Sequence, residues 1–170
     1  LLFIGLAWGQ NEYNIKHIVD QDSVYKKKFS DEIVNGNIYQ MTDDMKVPLG
    51  KMKNGKKDGL WTEWYPNMRK LEETYKHGML DGSVSLYYKT GQKEWRHTYN
   101  NGQFEGLWTY WYENGQKMRE GNFMCGDSTG KWIWWDKNGR VEKEKKYKNR
   151  KNAIWANYNE YVLIETVTEP

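Results

Sequence analysis

The chain has 170 residues and a formal net charge of +3, a size that suits one domain or one short repeat array. Tryptophan and tyrosine number 10 and 13, while the mean hydropathy is −1.03, so apolar burial must depend on aromatic rings. This composition predicts a thin structure without a thick aliphatic core, and the small net charge does not favour a nucleic-acid partner.

The first residues are typical of the end of a secretion signal. Residues 1–7 read LLFIGLA, and Ala7 and Gly9 place small residues at positions −3 and −1 of a cleavage site before Gln10. We therefore interpret residues 1–9 as a signal-peptide remnant, and we expect an exported protein, periplasmic or extracellular in a bacterial envelope. A first β-strand or a cloning remnant is the alternative interpretation.

Glycine recurs at nearly fixed intervals through the middle of the chain, and this repetition predicts the fold. Three series have spacings of 23 or 24 residues: Gly36, Gly59, Gly82, Gly106 and Gly130; Gly55, Gly78, Gly102 and Gly126; and Gly91, Gly115 and Gly139. Self-similarity at a fixed period is the signature of a repeat architecture. We expect about five repeat units of 23–24 residues over residues 37–151.

Each repeat unit has the pattern of a β-hairpin. It opens with an aromatic strand such as LWTEWY or LWTYWY, and a turn follows, which is Asn-Gly at Asn114 and Asn138. Asn-Gly between apolar runs is a strong hairpin signal because both residues tolerate positive φ. A second strand ends at a recurring apolar or aromatic position, occupied by Met52, Tyr75, Tyr99, Phe123 and Tyr147. The predicted fold is all-β, a single-layer antiparallel β-hairpin repeat array that forms a meander.

The alternation of side chains along a strand places large rings on both faces of this sheet. Trp61, Val84, Trp108 and Trp132 share one face, and Trp64, Tyr87, Trp111 and Trp135 share the other. We also expect the glycine that closes each repeat unit to make room for a ring of the next unit, because a Cβ atom there would obstruct that ring.

The segments that flank the repeats are expected to act as caps. Residues 10–36 lack the repeat, and Ser23 to Phe29 could form a capping strand. Residues 152–170 combine a degenerate half-repeat with a C-terminal cap or tail. Arrays need atypical ends that prevent edge-to-edge pairing.

Two segments carry a family resemblance. Gly50–Trp61, GKMKNGKKDGLW, and Leu107–Lys117, LWTYWYENGQK, resemble the MORN-repeat variant and in particular the YwqK-type antitoxin family of toxin–antitoxin systems. The resemblance covers about residues 37–149 and implies a MORN-like single-layer array that binds proteins or, in some relatives, lipid surfaces. Met68 departs from the pattern, since other repeat units have glycine there, and the export signal does not fit a cytoplasmic antitoxin.

The sequence does not favour an enzyme. His17, His77 and His97 lack metal-ligand spacing, and Cys125 is the single cysteine, so no internal disulfide can form. We interpret Cys125 as a turn residue. We expect no catalytic residue, no metal and no cofactor.

Two functional hypotheses remain. The first is a non-catalytic protein-interaction module, in a specific form an antitoxin-like or immunity-like protein that neutralises a partner, because tryptophan and tyrosine are enriched at interface hot spots. The second is a cell-envelope surface binder of anionic lipid or glycan, in which lysine meets headgroups and rings stack on sugars. Each ring could instead serve only to hold the sheet together. The candidate binding residues are Trp61, Trp64, Trp95, Trp108, Trp111, Trp132 and Trp135.

Overall fold

The computed structural model describes residues 11–148, and within them the chain forms β-strands joined by tight turns. The strands are β1 (Glu12–Asn14), β2 (Ile18–Gln21), β3 (Val24–Lys27), β4 (Gly36–Thr42), β5 (Met45–Lys53), β6 (Lys56–Trp64), β7 (Lys70–Lys76), β8 (Met79–Tyr87), β9 (Lys93–Asn100), β10 (Gln103–Phe104), β11 (Gly106–Trp111), β12 (Lys117–Met124), β13 (Asp127–Trp135) and β14 (Val141–Tyr147). A single 3₁₀ turn, Ile15–His17, is the one helical element of the described residues. The prediction of an all-β antiparallel meander of hairpins is confirmed. Within residues 11–148 there is no helix with the length and apolar content that a bilayer crossing requires.

The described residues divide into two compact units. The first compact unit comprises residues 11–62 and 75–78, and the second comprises residues 63–74 and 79–148. The predicted signal remnant, the half-repeat and the C-terminal cap lie outside the described residues.

In the first compact unit, strands β4, β5 and β6 pair antiparallel, and β1 pairs parallel with β4. Strands β2 and β3 form a separate hairpin, which overlaps the segment that the sequence suggested as a capping strand. The buried core of this unit is mostly aliphatic, which the composition did not predict. Its members are Ile18, Val34, Ile38, Met52 and Trp61.

In the second compact unit, strands β8, β9, β11, β12, β13 and β14 pair antiparallel in that order. The register shifts by one residue at the same place in successive hairpins, next to Tyr87, Trp111 and Trp135. Such a shift is a β-bulge, which bends the strand locally. The repeated position of the bulge shows that the hairpins are copies of one unit.

The turns between repeat units follow one geometry. The first central residue has φ between 47° and 53° and the following glycine has φ between 69° and 86°, as in a type I′ hairpin turn. The pairs are Asn54-Gly55, His77-Gly78, Asn101-Gly102 and Cys125-Gly126. The interpretation of Cys125 as a turn residue is confirmed, and its side chain is exposed.

The prediction that the closing glycines make room for rings is wrong. A Cβ atom built on Gly59 or Gly130 would meet nothing within 4 Å, and both residues have positive φ, at 78° and 65°. Their requirement is therefore conformational. The glycines that contact rings are Gly50 and Gly121, which lie inside the second strand of a hairpin.

Candidate binding surface

One local arrangement of tryptophan occurs three times in the chain. The indole Nε1 donates a hydrogen bond to a backbone carbonyl ten residues earlier, on the neighbouring strand. The pairs are Trp61 to Lys51 at 3.1 Å, Trp108 to Thr98 at 3.4 Å and Trp132 to Asn122 at 3.3 Å. The hydrogen bond fixes the ring close to the neighbouring backbone while its apolar faces remain available for packing.

The residue that precedes each of these acceptors lies beneath the ring. It is Gly50 for Trp61 and Gly121 for Trp132, where an added Cβ would come within 2.5 and 2.0 Å of ring carbons. At the third site it is His97, and the ring of Trp108 stacks on its imidazole at 3.6 Å between centroids. His97 therefore occupies a position that is glycine in two other repeat units.

Side chains from six strands of the second compact unit form two rows on one face of the sheet, because residues directly opposite on neighbouring strands point to the same side. The outer row is Leu86, Trp95, Tyr110, Arg119, Trp134 and Lys143, each opposite the next. The inner row is Val84, His97, Trp108, Gly121, Trp132 and Lys145. We call this side of the second compact unit the aromatic face; it also includes Tyr99, Phe104, Phe123 and Tyr147.

Rings of the aromatic face pack against one another and bury one another from solvent. Trp108 contacts Phe104 and Phe123 with centroids 4.4 and 4.3 Å away, and Phe123 meets Trp132 edge-on at 5.4 Å. As a result Trp108 and Trp132 are only 8% and 6% exposed. Each such pair contributes about 0.5–1.5 kcal/mol beyond area burial, so contacts between rings help to hold the face together.

His97 lies between two indoles, with Trp95 at 4.1 Å on one side and Trp108 on the other. Burial, and then the positive charge of Arg119, lower the pKa of His97 to about 4. The imidazole is therefore neutral at physiological pH. Its Nε2 atom and the Nε atom of Arg119 are buried and have no hydrogen-bond partner among the described residues.

Arg119 rests on the ring of Tyr110, with the guanidinium carbon 3.8 Å from the ring centroid. Arg119 lies directly between Tyr110 and Trp134 in the outer row. Stacking on an aromatic ring restricts the planar guanidinium to a few orientations.

The opposite face of the second compact unit has a different character. Here Thr109 and Lys117 contact the carboxylate of Glu120, and the Lys117 ammonium also lies 5.8 Å from the ring of Trp135. Burial alone would raise the pKa of Glu72, but hydrogen bonds from Lys70 and Tyr87 outweigh it, so that pKa lies below its usual value. Burial, and then the bond to Glu72, raise the pKa of Tyr87 to about 12. Lys70, Lys117 and their carboxylate partners on this face are thus paired.

The seven tryptophans named from the sequence lie in four places. Trp61 is in the core of the first compact unit, and Trp108 and Trp132 are buried in the inner row. Trp95 is half-buried in the outer row. Trp64, Trp111 and Trp135 accompany the paired charges of the opposite face, and Trp64 is 53% exposed. Their role in binding stays a prediction.

Sequence reasoning missed three outer-row residues: Tyr110, Arg119 and Trp134. A signal was present, because Tyr110 and Trp134 each follow an inner-row tryptophan by two positions and must share its face. For Arg119 no such signal exists, since only the strand register shows which rings flank it.

The second compact unit also has a shallow, open depression of about 420 Å³, lined by Tyr65, Pro66, Asn67, Arg69 and Leu86. Arg69 forms an ion pair with Glu94. Nowhere in the described part of the chain do three histidine, cysteine or acidic side chains group in a way that could hold a metal ion.

Comparison with protein families supports the repeat assignment. Residues 104–124 and 128–149 match the MORN repeat variant family. These two segments cover nearly all of strands β11 to β14, which contribute much of the aromatic face. MORN repeats are generally non-enzymatic modules that interact with proteins or membranes. No curated protein matches the chain significantly.

Proposed function

We propose that the chain is a non-catalytic binding protein that captures a partner protein on the aromatic face of its second compact unit. The observation that carries the proposal is the outer row, in which Tyr110 and half-buried Trp134 flank the stacked Arg119 and half-buried Trp95 lies next to Tyr110. Tryptophan, tyrosine and arginine are the residue types that dominate binding energy at protein interfaces. Beside them the inner row is already packed against its neighbours, which lowers the cost of ordering the surface on binding.

More specifically, we propose an antitoxin-like or immunity-like function. The chain would cover the surface of a partner protein and so block the activity of that partner. This form rests on the resemblance to YwqK-type antitoxins in segments such as Leu107–Lys117. A toxin gene beside the gene for this chain would support it. The apolar residues 1–7 and the small residues that follow further suggest an exported protein, which determination of the mature N-terminus would test, with Gln10 expected as the first residue.

The test uses two matched double variants as baits in a cell-envelope extract. Trp95→Ala with Trp134→Ala removes two rings of the aromatic face, and Trp111→Ala with Trp135→Ala removes two from the opposite face. We expect the wild type and the opposite-face variant to retain one stoichiometric protein and the aromatic-face variant to lose it. Loss in the opposite-face variant alone would contradict the choice of face.

A second candidate function is binding to an anionic lipid or glycan surface of the cell envelope. It is favoured by Lys143 and Lys145, which extend the aromatic face with positive charge. Salt-sensitive sedimentation with phosphatidylglycerol vesicles, or retention on an acidic polysaccharide, without any protein retained from the extract would support this candidate. That result would contradict the proposal of a protein partner.

A further inference from the structure

The cations of the aromatic face have rings as neighbours. The guanidinium of Arg119 lies 3.8 Å from the Tyr110 centroid. The Nζ atom of Lys143 lies 5.8 Å from the Trp134 ring, and that of Lys145 lies 5.0 Å from the ring of Tyr147. None of these three cations has a carboxylate within ion-pair distance among residues 11–148.

Three lysines of the opposite face, by contrast, have carboxylates as neighbours. Lys70 pairs with Glu72 at 2.7 Å and Lys117 with Glu120 at 2.7 Å. Lys131 pairs with Glu144 at 2.6 Å. Several lysines of the opposite face are therefore balanced by carboxylates of the same face, whereas Arg119, Lys143 and Lys145 of the aromatic face are not.

The three cations of the aromatic face lack ion pairs because of the residue types that form its two rows. From β8 to β14 the outer and inner rows contain no aspartate or glutamate, and the carboxylate that acts on this face is that of Glu73 on β7, which lies near Tyr99.

We propose that the aromatic face receives an acidic segment of the partner protein, with carboxylates directed at Arg119 and Lys143 and apolar or aromatic side chains packed against Trp95 and Trp134. This inference rests on the proposed function and names the chemistry of the partner. A guanidinium offers two parallel donors to a carboxylate, and Tyr110 already holds that of Arg119 in place. The surrounding rings lower the local dielectric constant, which strengthens each such pair relative to a fully hydrated one.

The probe is a synthetic decapeptide of alternating glutamate and tyrosine, titrated against the full chain while tryptophan fluorescence is recorded. A glutamine–tyrosine decapeptide of the same length is the uncharged control. We expect saturable binding of the acidic peptide that weakens with added salt. Equal binding of the two peptides would overturn the proposal, because it would show that the rings alone are recognised.

Two triple variants with the same change in net charge test the face. The aromatic-face variant carries Arg119→Gln, Lys143→Gln and Lys145→Gln. The opposite-face variant carries Lys117→Gln, Lys131→Gln and Lys146→Gln. We expect the first to weaken binding of the acidic peptide by about tenfold or more, since charge-assisted hydrogen bonds are lost, and the second to change it by no more than about twofold. Equal weakening in both variants would overturn the proposal in favour of a general charge effect.

A change in folding would be visible in the circular-dichroism spectrum of the aromatic-face variant. In that case the pair of single variants Lys143→Gln and Lys131→Gln decides the question, because both side chains lie mostly in solvent. Only Lys143→Gln should weaken the peptide. Capture of a partner through Trp95 and Trp134 without any binding of the acidic peptide would overturn this inference and leave the proposed function standing.

Discussion

The ring of Trp61 in the first compact unit is covered by aliphatic side chains, whereas the rings of Trp108 and Trp132 in the second are covered by other rings of the same face. The degree of burial is nevertheless the same, with exposures of 5%, 8% and 6%. In the first compact unit the cover comes partly from Ile18 and Val34, which lie outside the repeats. The comparison shows that a sheet face carrying such a tryptophan can be covered by a second layer of aliphatic side chains.

In the second compact unit no described element supplies such a layer. The rings of the inner row are covered by neighbouring rings of the same face, whereas Trp95, Tyr110, Arg119 and Trp134 of the outer row are half-buried. The first compact unit thus shows within the chain how apolar side chains cover a tryptophan that lies on a neighbouring strand. We infer that a partner protein covers the aromatic face in a similar way.

The largest expected effect concerns these buried rings. Trp61→Ala and Trp132→Ala should each lower the free energy of unfolding by about 3–5 kcal/mol, because each removes a buried ring with its hydrogen bond to the neighbouring strand. Denaturant unfolding measures both. If Trp132→Ala alone lowered the free energy of unfolding by less than about 1 kcal/mol, the Trp132 ring would be loosely packed. Trp61 and Trp132 would then not be equivalent in their contribution to stability.

The buried imidazole makes the second compact unit sensitive to pH. His97 has a folded pKa of about 4, below the ordinary value of 6.5, so the unfolded state takes up the proton first as the pH falls. The stability that this group contributes is complete above pH 6.5 and is lost toward pH 4. We expect a loss of up to about 3 kcal/mol over that window.

The control for this effect is His97→Gln, which cannot titrate. Unfolding curves recorded between pH 7 and pH 4 should converge for wild type and variant as the pH falls. Parallel curves would contradict burial of the imidazole between Trp95 and Trp108.

The closeness of the contact between a tryptophan ring and the glycine beneath it also differs between the two compact units. A Cβ atom would approach a ring carbon to 2.0 Å at Gly121 and to 2.5 Å at Gly50. Gly121→Ala should cost about 1–3 kcal/mol, and Gly50→Ala should cost less. Gly130→Asn is the matched control in an open turn, where asparagine tolerates positive φ, and it should change stability by less than about 1 kcal/mol. A neutral Gly121→Ala would show that the Trp132 ring does not lie on this strand.

The same turn geometry occurs in both compact units. Substitutions in the turns should therefore change stability independently of what covers the faces of the sheet. Met68 has φ of 63° at the position that is Gly91 in the next hairpin. Met68→Gly should therefore stabilise the chain by about 1 kcal/mol, and Gly91→Ala, in open space, should destabilise it by a similar amount. Thermal unfolding measures both changes, and a destabilising Met68→Gly would contradict the assigned turn.

Much of this architecture could be predicted from the sequence because the residues of a tight turn indicate its backbone conformation directly. Asn101-Gly102 requires a type I′ turn, and the regular return of such pairs predicted the meander. The predicted interface was less complete. The sequence named Trp95 but could not show that Arg119 lies between Tyr110 and Trp134, because only pairing between strands brings those residues together.

Two further features depended on long-range contacts. The parallel pairing of β1 with β4 joins segments that share no repeat pattern. The repeat spacing already aligns His97 with Gly50 and Gly121, but the contact of each with a tryptophan ring is visible only in the structure. Local propensity carries no information about such contacts, so these features could not be predicted.

The most direct test of the account is oxidative footprinting of the tryptophans by mass spectrometry, with and without the glutamate–tyrosine decapeptide. The account predicts that oxidation of Trp95 and Trp134 falls when the peptide is bound, while oxidation of Trp111 and Trp135 on the opposite face stays unchanged. Protection of Trp111 and Trp135 with no change at Trp95 and Trp134 would contradict it.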